Sequence, residues 1–157
     1  MASAINTETR QYIPRGVKYD ADLGENWIIN PTEEEIADIR QPTEDELRLQ
    51  AYLKASNDYN SVLSAGFEFE GDVYQSDKES RDILSGLKST IESLEEGETV
   101  RFTLKDRTKK DLAADKVVSL CNSMSVFVRQ ETREFQDKED EISKMDLPQL
   151  KTYLGMS

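Results

Sequence analysis

The sequence contains no histidine, which removes the commonest general base and metal ligand at one stroke. Ser/His/Asp and Cys/His catalytic arrangements are therefore excluded. Cysteine occurs once, as Cys121, so no intramolecular disulfide forms and no cysteine pair is present to hold zinc. A single thiol fits a reducing compartment. No glycine-rich loop is spaced to cradle phosphate. No run approaches the roughly 18 apolar residues of a membrane helix. The opening "MASAINTETRQ" lacks the apolar stretch of a secretory signal. Basic residues are also in deficit: 20 Lys and Arg stand against 32 Asp and Glu, a net charge of −12. Such a surface repels nucleic-acid backbones and anionic membranes and favours solubility or a basic partner.

What is present is charge-rich and patterned. Hydrophobic residues make up 36% of the 157 and charged residues 33%, which predicts a small core under long exposed helical faces. The carboxylates invite a search for chemistry. "DADLGEN" (20–26) misses the calcium-loop spacing. Glu33, Glu34 and Glu35 are explained by helix capping without a metal. Carboxylate pairs arise by chance among so many acids. The reading is a non-enzyme, with no catalytic, cofactor-binding or metal residue assigned.

Residues 1–63 read as an N-terminal arm followed by capped helices, a tether. "GVKY" (16–19) and "NWII" (26–29) flank a polar loop, as in a loose hairpin. Trp27 is the only tryptophan and is assigned as an anchor to a partner. Thr32 with Glu35, and Thr43 with Glu46, match the capping box; Pro31 and Pro42 precede them. These signals predict helices over about 33–40 and 44–63. Leu47, Ala51, Tyr59 and Val62 give the second a modest apolar stripe.

Residues 64–145 read as the main α+β domain. "GFEFEGDVYQSDKES" (66–80) writes a hairpin and then a helix start. Phe67 and Phe69 alternate with glutamates, and Gly71–Asp72 fits a two-residue turn that sets Phe69 opposite Tyr74. Ser76 with Glu79 predicts a third capping box. Ile83, Leu84, Leu87, Ile91 and Leu94 recur at helical spacing, up to a stop at Gly97. Gly86, inside this helix, implies a close approach by another element. "TVRFTLK" (99–105) alternates Val100, Phe102 and Leu104 and is expected to add a third strand to the hairpin. "DRTKKD" (106–111) reads as a charged turn. The predicted core is Phe67, Phe69, Tyr74, Leu84, Leu87, Ile91, Val100 and Phe102.

From about 113 to 145 there is neither proline nor glycine. Val117, Cys121, Met124, Val128, Phe135, Ile142 and Met145 share one alternating three–four spacing, with Glu131 and Lys138 at the two remaining seam positions. This pattern fits a coiled-coil seam for self-association. The other reading is a helix that packs on its own sheet and then projects. About 33 residues would span roughly 50 Å, more than so small a sheet covers. The tail, 146–157, restarts after a break: Asp146 caps, Pro148 suits the first turn, and Leu147, Leu150, Tyr153 and Leu154 form an apolar set. It would fold back or serve as a docking peptide. The expected architecture is α+β: a small three-stranded antiparallel sheet on helices, a long C-terminal helix and a partly helical arm.

"GFEFEGDVYQSDKESRDILSGL" and "VRFTLKDRTKKDLAADKVVSLCNSMSVFVRQETREFQDKEDEI" together resemble a small domain of unknown function that recurs in bacteriophage tail and tail-fibre-associated proteins. That pattern has a hairpin around a glycine, a Thr/Ser–Asp step into a helix, and a strand running through an Asp-containing turn to a Leu-Ala-Ala-like helix start. Here these fall on Gly71, Ser76, Asp77, Asp106 and Leu112–Ala114, within about residues 66–145. "WIINPTEEEI" resembles the opening segments of proteins carrying the domain. The resemblance implies a tail structural component with other tail proteins as partners, made in the bacterial host cytoplasm and built into the virion tail. An assembly chaperone that leaves before maturation is the alternative it allows. A small regulatory binding module is the reading from a different class. The family offers no catalytic residues to carry over.

Overall fold

The computed structural model describes residues 2–17 and 25–156. The chain is α+β and divides into two compact units, Met1–Leu47 and Arg48–Ser157. The division falls inside the helix Glu44–Ala65, whereas the sequence places a boundary after that helix, at 63/64.

The first unit is built on a three-stranded antiparallel sheet in the order β2–β1–β3, from β1 (Ala2–Asn6), β2 (Tyr12–Val17) and β3 (Trp27–Ile29). The expected pairing of 16–19 with 26–29 is corrected: both segments flank β1, with Ala4 opposite Ile13 on one side and Ile29 on the other. "ASAIN" gave little warning, since serine, asparagine and alanine are not strand formers. Lys18, Tyr19 and the loop through Gly24 lie outside the described residues. The β1–β2 turn is locked by Asn6, whose Oδ1 accepts from the backbone N–H groups of Glu8 and Thr9 at 3.0 and 2.7 Å. Arg10 then takes a left-handed φ of 57° and donates to the Ile39 carbonyl and to Glu46. α1 (Glu33–Arg40) starts on the Thr32/Glu35 box. Thr43 and Glu46 exchange the same pair of bonds at the start of α2 (Glu44–Ala65).

In the second unit, β4 (Phe67–Phe69) and β5 (Asp72–Tyr74) form the expected hairpin in a shifted register. Phe67 faces Tyr74, and Phe69 faces Asp72. Glu70 and Gly71 are the central turn residues, both at positive φ, the geometry that matches strand twist. Glu70 is ion-paired to Lys116, which helps hold a glutamate in a conformation it disfavours. Phe69 and Tyr74 still meet edge to face at 6.2 Å.

α3 (Lys78–Thr90) is capped by Asp77, not Ser76: Asp77 accepts from the Ser80 N–H at 3.0 Å. Ser76 is buried instead, and its hydroxyl donates to the Leu63 carbonyl near the end of α2. A 3-10 turn, Ile91–Ser93, follows α3. β6 (Thr99–Thr103) does not simply extend the first hairpin. It pairs along its length with β7 (Lys109–Ala113), a strand drawn partly from the expected turn 106–111. The two hairpins join at a single Tyr74–Leu104 bridge, with the Lys105 N–H donating to the Val73 carbonyl at 2.8 Å. "KKDLA" hid as a strand because only Leu112 points inward, while Asp111 pairs outward with Arg101 at 2.8 Å.

α4 (Ala114–Lys144) runs about 46 Å at 1.5 Å per residue. Its first half closes a core of Tyr74, Leu84, Leu104, Leu112, Val117, Leu120, Cys121 and Met124. Phe67, Phe69, Leu87, Ile91, Val100, Phe102 and Val128 pack against that core. Its second half lies along α2 in antiparallel fashion. Tyr59 stacks on Phe135 at 4.9 Å and shares a hydrogen bond with Thr132, while Arg48 donates to the Met145 carbonyl at 2.8 Å. α5 (Leu147–Tyr153) begins on an Asp146/Gln149 capping box and folds back. Leu150 is fully buried, and the Lys54 ammonium lies over the Tyr153 ring.

Candidate docking surface

The seam assigned to self-association is largely interior. Val117, Cys121, Met124 and Ile142 are buried within the chain, and Val128, Phe135 and Met145 are half-buried. α4's apolar seam meets the hairpins and α3 in its first half and α2 in its second. A coiled coil through these side chains would require the fold to open. The expectation that part of α4 needs a covering partner is met by α2, from the same chain. Trp27 belongs to the first unit, where it is half-buried on β3 at one edge of that unit's sheet.

Two hollows flank α4. The first, about 250 Å³, lies among α2, α4 and α5. Tyr59, Val62, Phe135 and Tyr153 supply its apolar lining, and Lys54, Asp58, Glu131, Glu134 and Lys138 stand around it. Its cations are internally balanced. Lys54 bonds Asp58 at 2.7 Å, which raises the lysine's pKa first through the hydrogen bond and then through the charge. Lys138 pairs with Glu141 in the same way.

The second hollow, about 400 Å³, lies between α3 and α4. Arg81, Ser85 and Lys88 come from one stripe of α3; Cys121, Ser125 and Arg129 come from one stripe of α4. Leu84, Met124 and Val128 complete its floor. Lys88 reaches across to Asn122 Oδ1 at 2.8 Å, and Arg81 Nε donates to the Asp77 carbonyl at 3.4 Å. Burial pushes the Cys121 thiol up, against a smaller opposing pull from Lys88, and its Sγ donates to the Leu84 carbonyl at 3.4 Å. A protonated, enclosed thiol is a packing group rather than a nucleophile. Burial, with Asp72 second, likewise raises the Tyr74 hydroxyl.

No family model, curated protein or solved structure matches this chain. Its chemistry is therefore read from its own surface. Among the described residues no helix is long and apolar enough to cross a membrane, and no three acids or thiols gather as a metal site. Both hollows are open depressions with apolar floors and charged margins, which is the form of a surface that receives another chain. Sequence reasoning missed Arg81, Lys88 and Arg129 as a group, because they belong to two helices about 40 residues apart. The only available signal was the spacing of Arg81, Ser85 and Lys88 along one face of α3.

Proposed function

We propose that this chain is a non-catalytic structural component of a bacteriophage tail, associated with the tail fibre or tail tip, with other tail proteins as its partners. The resemblance of residues 66–145 carries the reading. The resemblance rests on the order hairpin, capped helix, strand, charged turn and long helix; β4–β5, α3, β6 and α4 follow in that order, with strand β7 standing where most of the turn was expected. Attachment is assigned to the first unit. Its β3 strand carries Trp27 and presents a sheet edge, which suits strand addition by a partner. Self-association would have to use surface outside the α4 seam, since those side chains pack internally.

Mass spectrometry of purified particles, from a phage whose genome carries this sequence, tests the proposal. The chain is expected in the mature virion at a fixed ratio to tail proteins. Its presence in infected-cell lysate but absence from particles would overturn the structural role in favour of an assembly chaperone.

A further inference from the structure

We infer that the cleft between α3 and α4 is a docking site for an acidic, amphipathic helical segment of another protein. The inference stands on the cleft's charge and shape, independently of the tail reading.

The chain carries a net charge of −12, yet no aspartate or glutamate lines this cleft, while Arg81, Lys88 and Arg129 all do. Elsewhere in the second unit, cations that gather near carboxylates are neutralised, Lys54 by Asp58, Arg101 by Asp111, Lys110 by Asp72, Lys116 by Glu70 and Lys138 by Glu141, while others such as Lys109 and Lys151 stand without an ion pair but do not share a cleft. Among the described residues, none of the three cleft cations has a carboxylate partner. Arg129 makes no side-chain hydrogen bond there either. Lys88 spends one donor on a neutral amide and Arg81 one on a backbone carbonyl, so charge remains to be matched. An unmatched positive patch on a strongly acidic surface selects a negative partner and accelerates its approach.

Shape narrows the class of partner. The floor of Leu84, Met124 and Val128 is apolar, and methionine adapts to varied side chains. Cations at positions 81 and 88 stand two turns apart on one wall, with Arg129 on the other. A groove between two helices receives a third helix through anchors at i, i+3 or i+4, and i+7. Carboxylates flanking that apolar stripe would meet the cations on both walls. Arginine's planar fork suits such carboxylates bidentately.

The test uses the full chain and a fluorescein-labelled peptide of about five helical turns, with leucines at helical spacing and glutamates beside them. Anisotropy titration is expected to show saturable binding that weakens as salt rises. The triple variant Arg81→Gln/Lys88→Gln/Arg129→Gln should weaken binding about tenfold or more. A control, Lys109→Gln/Lys151→Gln, removes cations outside the cleft and should leave binding unchanged. Matching far-UV circular dichroism and melting would establish that the variants fold. The inference is overturned by absence of binding, by equal binding of a glutamine-for-glutamate peptide, or by equal loss in the control variant. Light scattering showing a self-dimer that depends on the three cations would also overturn it, by making the occupant a second copy.

Discussion

Two glycines in the second unit should respond in opposite directions to the same substitution. Gly66 joins α2 to β4 with φ at +102°. A Cβ built there would lie 2.7 Å from Val73 Cγ1 and 2.9 Å from the Tyr74 carbonyl oxygen. Val73 is partly exposed and its methyl has room to turn away, but the carbonyl belongs to the β5 backbone. Gly66→Ala therefore combines a left-handed backbone cost of about 1–2 kcal/mol with an overpacking cost of about 1–3 kcal/mol. The sum is a loss of about 2–5 kcal/mol. Gly86 lies within α3, and a Cβ there would meet nothing within 4 Å. The close approach expected at this position is absent, so Gly86→Ala should stabilise by about 0.5–1 kcal/mol through helix propensity and a less flexible unfolded chain. Urea denaturation followed by far-UV circular dichroism measures both. With a slope of about 1–3 kcal/mol per molar, Gly66→Ala should lower the midpoint by roughly 1 M or more, and Gly86→Ala should raise it by a few tenths. A Gly66→Ala variant as stable as the parent, or a Gly86→Ala variant clearly weaker, would refute the packing around β5 and α3.

Two further tests probe the caps and the returning tail. Asp77→Ala should cost about 1 kcal/mol at neutral pH, because the Ser80 N–H loses its acceptor. The same hydrogen bond holds the Asp77 carboxyl below its usual range, so its contribution is present above about pH 4 and fades as pH falls through the folded-state value. The gap between parent and variant should narrow in acid, and a constant gap would assign the cap elsewhere. Leu150→Ala removes a fully buried side chain and should cost about 2–4 kcal/mol. Melting unchanged to within a degree would mean that α5 is not docked.

The helices were legible for physical reasons. Threonine–glutamate boxes and the prolines before them place the starts of α1 and α2, and 31 residues without proline or glycine place α4. The partner of α4's second half was not legible. The inward stripe of α2 includes Ala51 and Ala55, which contrast weakly with a polar face, while Leu49 and Leu53 are exposed and flatten the contrast further. The seven-residue seam on α4 thus had no visible mate and read as a surface for another molecule. The hairpin was legible as a hairpin but not in its register, because the turn places a glutamate at positive φ, a choice local propensity does not anticipate. Ser76 and Asp77 competed for one cap, and only burial of Ser76 against the end of α2 decided between them. The cation cleft depends on how two helices pair, which no single stretch of sequence encodes.

The bond from Arg48 to the Met145 carbonyl spans 97 residues. It sets an order of events during synthesis on the ribosome. α2 is synthesised well before the residues it meets on the later helices, Thr132, Phe135, Met145 and Tyr153. Until then the stripe of Ala51, Ala55 and Tyr59 has no α4 to lie on, whatever the state of the hairpins. A chain halted before Thr132 would leave Tyr59 without the ring and hydroxyl it meets on α4. The contacts that close α2 within this unit thus wait on residues made 73 or more positions later, whatever has folded between.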